Sequence, residues 1–144
     1  MDLEPRVSWM SVELLTIWAS RGDDRYPVQL VVSTANECTV TATSDHWPEL
    51  PATGLDLFEA LTGLRLTLEP LGVVLHCNGA RVDVYPSQMQ RQATAGRMAY
   101  VMVPQSTVRP KAVDIFAPAK EGSLLGSVSD QRAWFDRWMS EPAP

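Results

Sequence analysis

The sequence predicts one α+β domain: a mostly antiparallel sheet of five to six strands with two main helices packed on one face. Three observations carry this expectation. Strand-like runs rich in valine and threonine follow one another through the first third of the chain, separated by short polar turns. A leucine series at helical spacing, Leu57, Leu61, Leu64 and Leu68, lies between breaks marked by proline and glycine. A second amphipathic series closes the chain, with Val128, Phe135 and Met139 and with Trp134 and Trp138 beside them.

Residues 1–8 read as a loose lead-in, and Trp9 to Trp18 as a first strand, partly apolar on both faces, with a helix as the competing reading of so short an apolar run. The polar, glycine-containing run Ser20 to Asp24 turns the chain into a second strand, Val28 to Thr34. Cys38 to Thr43 alternates small apolar residues with threonines, the pattern of a strand wet on one face. Short connections make these three strands an antiparallel meander. Asp45 to Pro51 is expected to be a loop, because Pro48 and Pro51 each lack a backbone donor. Thr53 and Asp56 have capping-box spacing, so the first helix is placed at Thr53 to Glu69, with Leu55 and Leu66 on the face away from the core stripe. Pro70 to Gly72 stops it.

Val73 to Cys77 reads as a strand leading into Asn78-Gly79, a dipeptide that favours a two-residue hairpin turn. The return strand, Arg81 to Tyr85, then buries Val82 and Val84 and aligns Arg81, Asp83 and Tyr85 on its other face. Ser87 and Gln90 are spaced to cap a short helix that Gly96 closes, and Met98 to Val103 is a further strand. Pro104 to Pro110 resembles a linker and Val113 to Phe116 is briefly extended. Ser127 with Asp130 caps the terminal helix, which is expected to dock on the sheet, and residues 141–144 are expected to be loose. No repeat or second domain is visible, so the whole chain, 1–144, reads as one unit.

Composition narrows the function. The net charge of −5 opposes broad binding to nucleic acid or to an anionic membrane, both of which need a positive footprint. No apolar run approaches the roughly 20 residues that span a bilayer, and the acidic start is unlike a signal peptide. These features place the protein in the cytoplasm, where Cys38 and Cys77 act as small buried hydrophobes. His76 and Cys77 are neighbours on one strand and point to opposite faces, so they share neither a metal nor a nucleophile–base role. Paired ligand spacings, phosphate-cradling glycine motifs and the serine-hydrolase elbow are all missing. No metal, cofactor or catalytic residue is therefore expected.

The charge is unevenly spread. From Pro70 to Lys111 there are five basic residues and one acid, a net +4 against −9 for the remainder. Within that block Asn78, Arg81, Asp83, Tyr85, Ser87, Arg91 and Arg97 form the candidate ligand-binding set. Three guanidinium groups near one acid can hold a carboxylate or phosphate by bidentate hydrogen bonds. In the plainer reading Arg81 and Asp83 satisfy each other across one strand face.

The block CNGARVDVYPSQMQRQATAGRMAYVM, with DLFEALTGLRLTLEPLG before it and VDIFAPA and VSDQRAWFDRWM after it, resembles a group of small bacterial proteins with a C-N-G-A-R-x-D-V-Y-P-S-x-M core. The resemblance covers about Leu55 to Met139, and Asn78, Gly79, Arg81, Asp83, Tyr85, Ser87 and Met89 match its signature positions. It implies no catalytic assignment. The chain departs from the group at Gln88 and at Ala93-Thr94-Ala95, where the group more often has glycine.

Two functional expectations result. The leading one is a non-enzymatic, cytoplasmic protein-binding module, with a toxin-neutralising immunity protein as one form; an acidic domain suits a basic toxin through electrostatic steering. The alternative is a small enzyme or anionic-ligand-binding domain with its site around Arg81, Asp83, Tyr85 and Arg97. A homodimer through an exposed sheet edge is a third arrangement.

Overall fold

Eight strands and three helices build an α+β fold in the computed structural model, which describes residues 12–103 and 110–141. The lead-in at 1–8, the first residues of the Trp9 strand, the stretch 104–109 and the tail at 142–144 lie outside the described residues. The strands are β1 (Val12–Arg21), β2 (Asp24–Ser33), β3 (Cys38–Ser44), β4 (Trp47–Gly54), β5 (Val73–Leu75), β6 (Val84–Tyr85), β7 (Met98–Val101) and β8 (Ala112–Asp114). The helices are α1 (Leu57–Leu68), α2 (Gln88–Ala93) and α3 (Val128–Ser140). One antiparallel sheet runs in the order β4-β3-β2-β1-β5, and a smaller one runs β6-β7-β8.

The meander forms as expected but is longer. Arg21 pairs with Asp24, leaving a two-residue loop in which Gly22 takes φ +59°, a conformation that glycine adopts without a steric cost. The loop expected over Asp45 to Pro51 is instead mostly strand, because β4 lies at the sheet edge, where a residue without an N–H is tolerated. That strand takes Thr53 and Gly54, so α1 starts later than expected. Its N-cap is Asp56, which accepts from the Glu59 backbone N–H at 2.8 Å.

The leucine stripe is core: Leu57, Leu61, Leu64 and Leu68 are buried in one cluster with the inner residues of the larger sheet, and α1 lies nearest β3 and β4. Leu55 and Leu66 are exposed. Burying the stripe removes four leucine side chains from water, each worth about 2 kcal/mol, and fixes α1 across one face of the larger sheet. The other face is not covered by any described helix.

The Asn78-Gly79 hairpin does not form. Asn78–Ala80 is a 3-10 turn, and Gly79 is absent from the glycines with positive φ. What Gly79 supplies is space. A Cβ there would stand 2.4 Å from Leu61 Cδ2 and 3.1 Å from Ile115 Cβ. The backbone N–H groups of Asn78 and Gly79 donate to Ala117 and Ile115 rather than across a hairpin. The return strand is correspondingly reduced to Val84–Tyr85, although Val82 and Val84 are buried as the alternation predicts. Two of the three expected capping boxes are present, Ser87 with Gln90 and Ser127 with Asp130, whereas Thr53 lies in β4 and does not cap α1. The terminal helix docks on β6 and α1 beside the smaller sheet.

Candidate functional site

The seven candidate residues separate into three groups. Arg81 and Asp83 form a bidentate pair, Nε to Oδ1 and Nη2 to Oδ2, both at 2.9 Å. Two N–H groups of this guanidinium are thereby committed to its neighbour, as the plainer reading of the sequence held.

Asn78 and Arg97 meet at Asp114, a residue the sequence did not single out. Asn78 donates from Nδ2 to the Asp114 carbonyl at 3.1 Å, and Arg97 Nε lies 3.3 Å from both carboxylate oxygens. Arg97 also reaches Glu13 on β1 and lies over the Phe116 ring. It therefore clamps the smaller sheet to the larger. The hydrogen bond to Arg97 holds the Glu13 carboxyl below its usual range, and the same bond raises Arg97. Glu13 and Arg97 are 84 residues apart, so no local pattern marks this pair.

Tyr85, Ser87 and Arg91 come together. Ser87 Oγ accepts from the Gln90 backbone N–H at 3.1 Å, so it starts α2, and α2 carries Arg91. Arg91 donates to Asp56 Oδ2 at 2.7 Å, and its guanidinium sits 5.6 Å from the Tyr85 ring centre and 5.3 Å from that of Phe58. Asp56 thus caps α1 and anchors α2 at once. Tyr85 stacks on Phe135 of α3, centroids 4.0 Å apart, and meets Phe58 edge-on at 5.0 Å.

This third group forms one wall of a groove of 530 Å³ between α3 and the smaller sheet, whose lining includes Tyr85, Tyr100, Met102, Phe135, Trp138 and Met139. Arg91 and Arg132 also line it. Arg132 pairs with Asp136 one turn along α3 and reaches the Tyr85 hydroxyl; the interaction with Tyr85 contributes most to raising its pKa. The helical spacing of Phe135 and Met139 was visible in the sequence, but their convergence with Tyr85 needed the tertiary fold. The groove has the composition of a recognition surface: aromatic rings, methionines and arginines at one place.

A second hollow, 500 Å³, is lined by Asn78, Arg81, Lys111 and Lys120 with several apolar residues. Among the described residues, no group of three or more His, Cys, Asp or Glu side chains could hold a metal ion, and no helix is long and apolar enough to cross a membrane. Cys38 and Cys77 are free thiols, and burial raises Cys77 to about 11. No protein-family model matches the chain, and no curated protein matches it.

Proposed function

We propose that the protein is a non-enzymatic protein-binding module, and that the groove between α3 and the smaller sheet takes a partner segment with an apolar side chain beside a carboxylate. The observation that supports this most is the Tyr85–Phe135 stack, which presents a preformed aromatic wall next to exposed Met139. Rigid rings lose little entropy on binding, and they are enriched among residues that dominate binding energy. Arg91 and Arg132 each retain N–H groups beyond those bonded to Asp56, Asp136 and Tyr85, and these suit a carboxylate at the groove's rim.

The test is copurification of the full chain with products of neighbouring genes. A complex weakened at least tenfold by Met139→Asp, with circular dichroism unchanged, supports the groove. A tight complex indifferent to that change removes it.

A toxin-neutralising role is the finer form of this reading. It draws on the opposite end of the molecule, where Asp23, Asp24 and Asp45 project from the two hairpin tips at one end of the larger sheet, flanked by Arg21 and Arg25. A basic partner would be steered there. Charge reversal at Asp23 and Asp24 should slow association with a basic toxin domain, most strongly at low salt. The anionic-ligand alternative draws on the hollow with Arg81 and Lys111, but the Arg81–Asp83 and Arg97–Asp114 contacts already occupy the two guanidinium groups it relied on.

A further inference from the structure

The outer face of the larger sheet can be read row by row from its register. Leu14, Val31, Thr41 and Pro51 stand opposite one another across four strands. Val12, Ser33, Thr39 and Thr53 form the next row toward one end, and Thr16, Gln29 and Thr43 the next toward the other. Trp18 with Pro27, and then Val74, Ser20 and Arg25, complete the face. Leu14 is 68% exposed, Trp18 48% and Val12 46%. An antiparallel sheet wet on one face normally carries charges there, whereas this one carries apolar residues and threonines.

We infer that this face is the interface of a homodimer in which two copies pack sheet on sheet. Three features select a second copy as the occupant. The first is charge. The face's charged side chains are Arg25 and Glu49, of opposite sign, so the face is neutral in a chain of net charge −5. A neutral patch meets its own image across a two-fold axis without like-charge repulsion.

The second feature is area. Five strands about 4.8 Å apart and about 25 Å long present about 600 Å². Two copies would bury about 1,200 Å², the lower limit for stable specific interfaces. The third feature is the edges. Pro48 and Pro51 each remove an N–H from β4, and the β5 side is met by the Cys77–Pro118 bridge and the Ala119 N–H to His76 carbonyl bond. Edge-to-edge pairing is therefore disfavoured, and association is directed to the face. Face-to-face sheets pack about 10 Å apart with strands crossing near 30°. At that spacing the side chains of the Leu14 row interdigitate with those of the other copy.

Sedimentation equilibrium of the full chain from about 10 to 200 µM, high enough to populate a dimer of micromolar affinity, the weak end for such interfaces, tests the inference. The expected mass is twice the 15.9 kDa of one chain. Leu14→Glu, on β1, and Thr41→Glu, on β3, are each expected to return the monomer mass with circular dichroism unchanged. Leu66→Glu, on the exposed side of α1, is expected to leave the dimer intact. A monomeric parent chain across that range overturns the inference and leaves the face to some other occupant. A dimer that survives both face variants overturns it equally.

Discussion

Arg65 donates from Nη1 to Oε1 of Gln131 at 2.8 Å, and both side chains are buried. This contact joins α1 to α3 across 66 positions of sequence. Arg65 also donates to the carbonyls of Gly79 at 3.1 Å and Gly126 at 2.8 Å. Gln131 Nε2 lies within 2.9 Å of the carbonyls of Gly79, Arg81 and Val84. These side chains thus supply donors to carbonyls of the irregular segment from Asn78 to Val84, beside its backbone bonds to Ala117, Ile115 and Leu124. Burial pulls the Arg65 pKa below its ordinary value, and the nearby Glu69 carboxylate partly opposes that shift.

Removing Arg65 takes this donor from the Gly126 carbonyl and from Gln131 Oε1, and removing Gln131 takes one from the Val84 carbonyl, while Gly79 keeps one donor in either case. Arg65→Met should lower stability by about 3 to 5 kcal/mol, since the Gly126 carbonyl and Gln131 Oε1 each lose a hydrogen bond from a charged donor worth about 1.5 to 3 kcal/mol. Gln131→Leu, which keeps the volume, should cost about 3 kcal/mol. Urea unfolding followed by tryptophan fluorescence measures both. A loss under about 1 kcal/mol for each would show that water replaces these bonds freely.

Gly79→Ala should destabilise by about 2 to 3 kcal/mol through overpacking, since its Cβ would overlap Leu61 Cδ2 at 2.4 Å. Leu61→Ala in the same chain should recover part of that loss, because it removes the overlapping atom. Non-additivity of the two changes in a double-mutant cycle distinguishes a space requirement from a backbone-conformation requirement. Strict additivity would contradict the steric account.

Ala95 has φ +54°, in the left-handed region, immediately before Gly96 at +74°. Ala95→Gly should therefore stabilise the protein by up to about 1 kcal/mol, as relief of the Cβ clash exceeds the added freedom of the unfolded chain. Thermal unfolding should show a midpoint a few degrees higher. The Ala95 carbonyl accepts from the Leu57 N–H at 2.7 Å, so the same residue ties α2 to the start of α1.

Burial raises the Cys77 thiol to about 11, from an ordinary value near 9. The fold therefore favours the neutral thiol. Its contribution to stability is fully present below about pH 8.5 and declines as pH rises toward 11, because only the unfolded chain ionises freely in that window. At pH 8 a thiol reagent should label Cys38, which is half-buried, well before Cys77. Full labelling of Cys77 should require denaturant. Equal labelling rates in the native protein would contradict its burial.

Much of the fold was legible in local spacing. The capping boxes at Ser87 with Gln90 and Ser127 with Asp130 depend on atoms three residues apart and formed, whereas Thr53 with Asp56 did not, because β4 takes Thr53. The leucine stripe and the valine–threonine alternation likewise translate directly into a buried and an exposed side, because helix and strand repeats are geometric. Asn78-Gly79 was misread for the opposite reason. A local preference for positive φ lost to the packing of Leu61 and Ile115, which lie far off in sequence and leave no room for a Cβ.

The candidate site divides along the same line. The Arg81–Asp83 pair is two residues apart, and the sequence alone anticipated it. The partners of Arg91 and Arg97, which are Asp56, Glu13 and Asp114, were invisible, since any of the chain's acids could have met any of its arginines. The sequence by itself determined which segments curl, which extend and which side of each turns away from water. Only the tertiary structure decided which charges neutralise one another, where aromatic rings converge and which sheet face no described helix covers. Those outcomes depend on distances through space between segments that the chain leaves free to meet in many combinations until the core closes.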